Sequence, residues 1–126
     1  MIIAVDFDGT LCKHAFPSIG EPMQHVIDYC ITLQRQGNTL ILWTCREDIE
    51  EGDYLTQAVT WCEEKGLKFK YINENPDGVL GKCGKVRKIM ADIYIDDRAL
   101  NVTQIPKELK EIEKDCQSLL RVQFHS

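Results

Sequence analysis

Hydrophobic positions recur along the chain in two alternating rhythms. Ile2 to Val5 is an unbroken apolar run, as a central parallel strand buried on both faces requires. Met23, Val26, Ile27 and Cys30 then follow at i, i+3, i+4 and i+7, which predicts a helix opened by Glu21-Pro22 and ended by Gly37. Thr39 to Thr44 reads as a second buried strand, and Cys45 to Gly52 as a polar turn. Leu55, Ala58, Val59 and Cys62 share one face of a second helix that Gly66 stops. Leu67 to Ile72 predicts a third strand, Asn73 to Gly84 a long loop, and Asp92 to Ile95 a fourth strand. Pro106 opens a last helix with Leu109, Ile112, Cys116 and Leu119 inward.

Strands and helices taking turns predict an α/β fold, a doubly wound parallel sheet of Rossmann-like type with helices on both faces. Ligands of such sheets bind beyond the carboxyl ends of the strands, where the strand order reverses. A length of 126 residues fits a single domain over 1–126, large enough to bury a core without disulfide or metal staples.

Composition narrows the function classes. At 44% hydrophobic and 28% charged the chain is ordinary globular material, and its net charge of −5 argues against a general polyanion-binding surface, so no nucleic-acid partner is expected. Met1 to Val5 runs at once into Asp6, too short for a signal peptide or a membrane span, so a cytoplasmic protein is expected. The six cysteines contain no Cys-x-x-Cys, and Cys30, Cys62 and Cys116 sit at apolar helical positions, where they read as small buried hydrophobes.

The chemistry gathers at the strand ends. Strand one runs into Asp6-Phe7-Asp8-Gly9-Thr10, strand two ends in Thr44, and strand four runs into Asp96-Asp97, so four carboxylates and a hydroxyl converge on one edge. Two like charges about 4 Å apart repel by roughly 4 kcal/mol at an effective dielectric near 20, so the cluster calls for a cation. An all-oxygen set without His or Cys points to Mg²⁺. Asp6 and Asp8, at i and i+2, emerge on one side of extended backbone, and such a pair can divide nucleophilic attack from acid–base work. Gly9 permits the close turn that aims them. A calcium loop is excluded, because counting from Asp6 puts Thr10, Leu11 and Pro17 where an EF-hand needs an Asp or Asn, a Gly and a Glu.

With these residues in this order, the sequence resembles the haloacid dehalogenase (HAD) superfamily of phosphohydrolases. Asp6-Phe7-Asp8-Gly9-Thr10 matches its nucleophile motif, Ile41-Leu42-Trp43-Thr44 its strand-end threonine, and Tyr94-Ile95-Asp96-Asp97 its acidic pair. The third motif is a lone lysine. Lys88 stands closest to the last strand, and Lys85 and Lys82 are the other candidates.

The resemblance implies a Mg²⁺-dependent phosphatase for phosphate monoesters. Asp6 would be the nucleophile that forms an aspartyl-phosphate, and Asp8 the general acid/base. Thr44 and Lys88 would hold the transferring phosphoryl group. Asp6, Asp96, Asp97 and the Asp8 backbone carbonyl would bind the metal. Gly9, Thr10, Arg46, Lys85 and Asn73 are the expected substrate-side residues, with Arg46 facing either a substrate phosphate or a neighbouring acid. The spacings leave no room for the cap domain this superfamily usually inserts. An open site implies a bulky phosphorylated substrate or a lid from another subunit, and the loops from Lys13 to Gly20 and from Asn73 to Gly84 are the specificity elements. Two rivals stand beside this reading. One is a receiver-type signalling domain, which carries its acidic pair after strand one and its phospho-accepting aspartate after strand three. The other is a catalytically idle binding module on the same fold.

Overall fold

The first two apolar runs, Ile2–Val5 and Thr39–Leu42, are each followed by an amphipathic helix that carries the chain back to the starting edge, so the next strand pairs in parallel. A computed structural model of the chain describes residues 1–74, 91–96, 108 and 110–117. In it β1 (Ile2–Val5), α1 (Gln24–Arg35), β2 (Thr39–Leu42), β3 (Asp48–Ile49), β4 (Gly52–Asp53), α2 (Tyr54–Glu64), β5 (Tyr71–Ile72) and β6 (Ile93–Ile95) follow in order, and residues 110–117 are helical.

The main sheet runs β5-β2-β1-β6, all parallel. The chain steps outward from β1 through β2 to β5, then returns to the other side of β1 for β6, so the strand order reverses between β1 and β6. A receiver domain keeps β1 between its second and third strands. Here the third main strand lies beyond β2, and the sheet order sets that rival aside.

Ile3, Val5, Leu40, Leu42 and Ile95 face one core with Val26, Ile27, Cys30 and Leu33 of α1, Ala58 and Cys62 of α2, and Ile112 and Cys116. The other face of the sheet carries a smaller cluster of Ala4 and Ile41, packed by Ile2, Tyr71, Ala91 and Tyr94. All described helices thus cover the first face. The expectation of helices on the second face lies outside the described residues, as do most of the loop expected over 73–84 and the expected start and end of the last helix. Tyr29 ties α1 to the last helix through a 2.6 Å hydrogen bond from its hydroxyl to Asp115.

Both helix ends follow one design. Gly37 and Gly66 take positive φ, and the two amides after each C-cap fold back on the last turn: Gly37 to Gln34 and Asn38 to Leu33, Gly66 to Glu63 and Leu67 to Cys62. That geometry explains one departure from the hydrophobic pattern. Leu67 is spent on the α2 cap and on the core, so the third main strand begins only at Tyr71. A second departure lies ahead of α1. Glu21 and Met23 pair with Lys13 and Leu11 through backbone bonds of 2.9 Å, so the segment with Pro22 forms a small antiparallel bridge and the helix starts at Gln24. A third concerns the polar turn, where β3 and β4 form a short hairpin that Asp48 docks onto α2 by accepting from the Thr56 amide and hydroxyl. Those two bonds hold the Asp48 carboxyl below its ordinary range.

Among the described residues no helix is long and apolar enough to cross a membrane. Cys12, Cys30, Cys62 and Cys116 are buried free thiols and Cys45 an exposed one. Burial pushes the Cys30 thiol up, and those of Cys62 and Cys116 up to about 12. An alkylating reagent at neutral pH should therefore modify Cys45 in the native protein and spare Cys12, Cys30, Cys62 and Cys116 until it is unfolded. Peptide mass mapping checks this, and native-state labelling of Cys30 would contradict the packing described.

Candidate active site

The carboxyl edge of the sheet collects the predicted site because the strands end in register. Val5 pairs with Ile95 and Leu42 with Ile72, so Asp6, Asp96 and Asn73 each follow directly on a strand terminus. Asp6 donates its amide to the Ile95 carbonyl at 3.1 Å, and its carboxylate accepts the Phe7 amide at 2.8 Å. Adjacent parallel strands lie about 4.8 Å apart, so Asp6 and Asp96 are backbone neighbours at the switch point.

Beyond Asp6 the chain turns tightly. The Phe7 carbonyl accepts from the amides of Thr10 and Leu11, and Gly9, at φ 83°, donates its amide to Cys12 at 2.8 Å. A Cβ on Gly9 would meet the His14 ring at 2.2 Å, so both the backbone angle and the close approach of His14 require glycine there. Thr10 is 1% exposed, and its Oγ1 has no hydrogen-bond partner among the described residues. Gly9 thus spends its amide on the turn, and Thr10 is buried beside it.

Thr44 is fixed by a different device. Asn73 adopts the left-handed conformation at φ 52°, donates its amide to Leu42 at 2.8 Å, and accepts the Thr44 amide on Oδ1 at 2.8 Å. It staples the end of β2 to the end of β5. The Thr44 hydroxyl in turn accepts the Arg46 amide at 3.1 Å. Asn73, expected on the substrate side, here orients Thr44.

Arg46 resolves the choice between a substrate phosphate and a neighbouring acid in favour of the acid. Its Nε and Nη2 donate to the two carboxylate oxygens of Asp8 at 2.9 and 2.8 Å, a bidentate ion pair. Nη2 and Nη1 also reach the carbonyls of Ser18 and Pro17 at 2.9 and 3.1 Å. Its guanidinium carbon lies 5.0 Å from the ring centres of both Phe7 and Phe16, and the side chain is 1% exposed. With these bonds made, Arg46 is a buried tie rather than a hand held out to substrate. The loop it grips ends at Gly20, where a Cβ would collide with the Lys13 carbonyl at 2.1 Å. Phe16, the outer cover of Arg46, is 58% exposed and meets Tyr54 edge-on at 5.3 Å.

Asp97, Lys82, Lys85 and Lys88 lie outside the described residues. Among the described residues no three His, Cys, Asp or Glu side chains gather into a metal cluster. Asp6 and Asp96 supply an oxygen-only pair of the hardness Mg²⁺ prefers, and the Asp8 carboxylate, engaged by Arg46, leaves its backbone carbonyl as the oxygen it has to offer a metal.

No family model and no curated protein matches the chain. A solved structure does match, that of a conserved protein from Bacteroides thetaiotaomicron, at 37% identity over 100% of this chain and 98% of that one, with a TM-score of 0.71. The chain belongs to the family of that protein. The likeness runs end to end and carries the α/β, Rossmann-like architecture with it.

The Phe16 cover, the two loop carbonyls and the seat of His14 over Gly9 were not foreseen from sequence. Backbone carbonyls have no residue signature. The one available signal was Arg46 itself, a cation two residues past a buried strand. Removing the Asn73 staple should loosen Thr44: Asn73→Ala is expected to destabilise the protein by about 1–3 kcal/mol in urea unfolding, through the lost acceptor and the left-handed backbone. Asn73→Asp, which keeps both features, should cost less than half as much, and equal losses would remove the staple.

Proposed function

We propose that the chain is a Mg²⁺-dependent phosphatase of HAD type that hydrolyses phosphate monoesters through an aspartyl-phosphate on Asp6. The observation that carries this reading is that Asp6 and Asp96 follow directly on β1 and β6, between which strand order reverses, with Thr44 beyond the carboxyl end of the neighbouring β2. The place of Asp6 just past β1, anchored by its own amide to Ile95, supports it as the nucleophile.

The residues divide the work as follows. Asp6 Oδ attacks phosphorus, a P–O bond to the leaving alcohol breaks, and that oxygen takes a proton from Asp8. A water then gives its proton to Asp8 as its oxygen attacks the same phosphorus, and the Asp6–phosphorus bond breaks to release phosphate. Thr44, aimed by Asn73, donates to a phosphoryl oxygen, and a lysine from the Lys82, Lys85 and Lys88 group neutralises another. Asp6, Asp96, Asp97 and the Asp8 carbonyl would hold Mg²⁺, which when bound neutralises charge on the phosphoryl oxygens. The partner is a phosphorylated small molecule or an exposed macromolecular phosphate, with no role for nucleic acid at a net charge of −5. Free thiols at Cys12, Cys30, Cys45, Cys62 and Cys116 support a reducing, cytoplasmic setting.

Phosphate release from a broad panel of phosphate esters tests the reading. Release is expected with Mg²⁺ and not with chelator, and Asp6→Asn should abolish it. Turnover that survives Asp6→Asn would remove the nucleophile, and failure on every ester, small and macromolecular, would favour an idle binding module. Asp8→Asn should slow turnover on the order of a hundredfold to ten-thousandfold. Of Lys82→Ala, Lys85→Ala and Lys88→Ala, the last is expected to lose most; a larger loss at Lys85 would move the phosphoryl-binding role there.

A further inference from the structure

The chemistry proposed above gives Asp8 a proton to carry, yet both its carboxylate oxygens are held by one guanidinium. That same guanidinium holds the backbone of the loop at Pro17 and Ser18 and lies under the Phe16 ring. Arg46 thereby links the Asp8 carboxylate to the loop backbone. We propose that Arg46 is a positioning residue that couples the seating of loop 13–20 to the placement of the Asp8 carboxylate, so that the loop facing incoming substrate sets where the acid–base group stands. The inference rests on the phosphatase reading for its catalytic half and on the contacts alone for its structural half.

Geometry favours this role over simple charge neutralisation. A protonated carboxyl keeps one oxygen for its proton and can accept on the other only. Asp8 therefore works as an acid by giving up one of its two Arg46 bonds, and the carbonyls of Pro17 and Ser18 keep the guanidinium in place while it does so. The fixed fork of arginine can lose one bond and hold its plane through the others. A lysine at the same position offers a single nitrogen, which cannot span Asp8 and both carbonyls in that arrangement. The Phe7 and Phe16 rings, each centred 5.0 Å from the guanidinium carbon, pack against it and shield it from water.

Two measurements on the full chain separate the halves. The first needs no activity: amide resonances of residues 13–20 are compared by NMR in the native protein, Asp8→Asn and Arg46→Lys. Asp8→Asn is expected to shift the loop resonances of Phe16 and Ser18 while those of α2 beyond Thr60 stay in place. A loop unmoved by Asp8→Asn would overturn the coupling whatever the protein hydrolyses. The second compares an alkyl phosphate, whose leaving oxygen needs a proton, with a nitrophenyl phosphate, whose leaving oxygen does not. Arg46→Lys should lower kcat/KM, which reads the step in which the leaving oxygen departs, on the order of a hundredfold for the alkyl ester, the usual share of acid–base help. For the aryl ester the loss in kcat/KM should be less than about threefold, while kcat for both carries the shared hydrolysis of the aspartyl-phosphate. Equal losses on both esters would reduce Arg46 to a structural tie. An inactive native protein whose loop nevertheless responds to Asp8→Asn would overturn the phosphatase reading and leave the coupling standing.

Discussion

A guanidinium that is 1% exposed has to be neutralised and hydrogen-bonded where it lies, and the floor of the site is arranged to do this for Arg46. Asp8 supplies the charge, Pro17 and Ser18 supply carbonyls, and Phe7 and Phe16 supply aromatic faces. Those groups come from the turn after β1, from the loop ahead of α1 and, through Arg46 itself, from the end of β2. One side chain thus fixes three segments that the sheet alone would leave free. Removing either charged partner of such a pair typically costs about 3–5 kcal/mol, because the other is left buried and uncompensated.

Around that tie the sheet imposes its own electrostatics. Parallel register sets Asp6 beside Asp96, and proximity makes their charges repel. The pairing of Asp8 with Arg46 neutralises one carboxylate of the cluster within the protein. On the proposed phosphatase reading, the same division separates two tasks: carboxylates at the switch point for a cation and a phosphoryl group, and a carboxylate held on an arginine for the proton. Asn73, which takes a positive φ at the end of β5, completes the arrangement by carrying the Thr44 hydroxyl to the same edge.

The main strands and helices were legible because burial writes a period into the sequence. Ile2 to Val5 is fully apolar, and Val26, Ile27 and Cys30 recur on one helical face; all these side chains but Ile2 are completely buried. Gly37 and Gly66 marked both helix ends correctly, since their left-handed caps leave glycine as the favoured residue. Element starts were less legible. Glu21-Pro22 has the composition of a helix opening, but Leu11 and Lys13 compete for its backbone and win. Leu67 has the hydrophobicity of a strand residue, but the α2 cap claims its amide. In the site, the order Asp6, Asp8, Thr44, Asp96 could be read directly, whereas the partners of Arg46 could not, since two of them are carbonyls that any residue provides.

The most direct test of the central claim is a double-mutant cycle between Arg46 and Asp8, read by urea unfolding of the native protein, Arg46→Met, Asp8→Asn and the double variant. The pair as described predicts a coupling on the order of 1–3 kcal/mol, with the double variant far less destabilised than the two single losses added together. Additivity within about 0.5 kcal/mol, the behaviour of sites that do not touch, would contradict it.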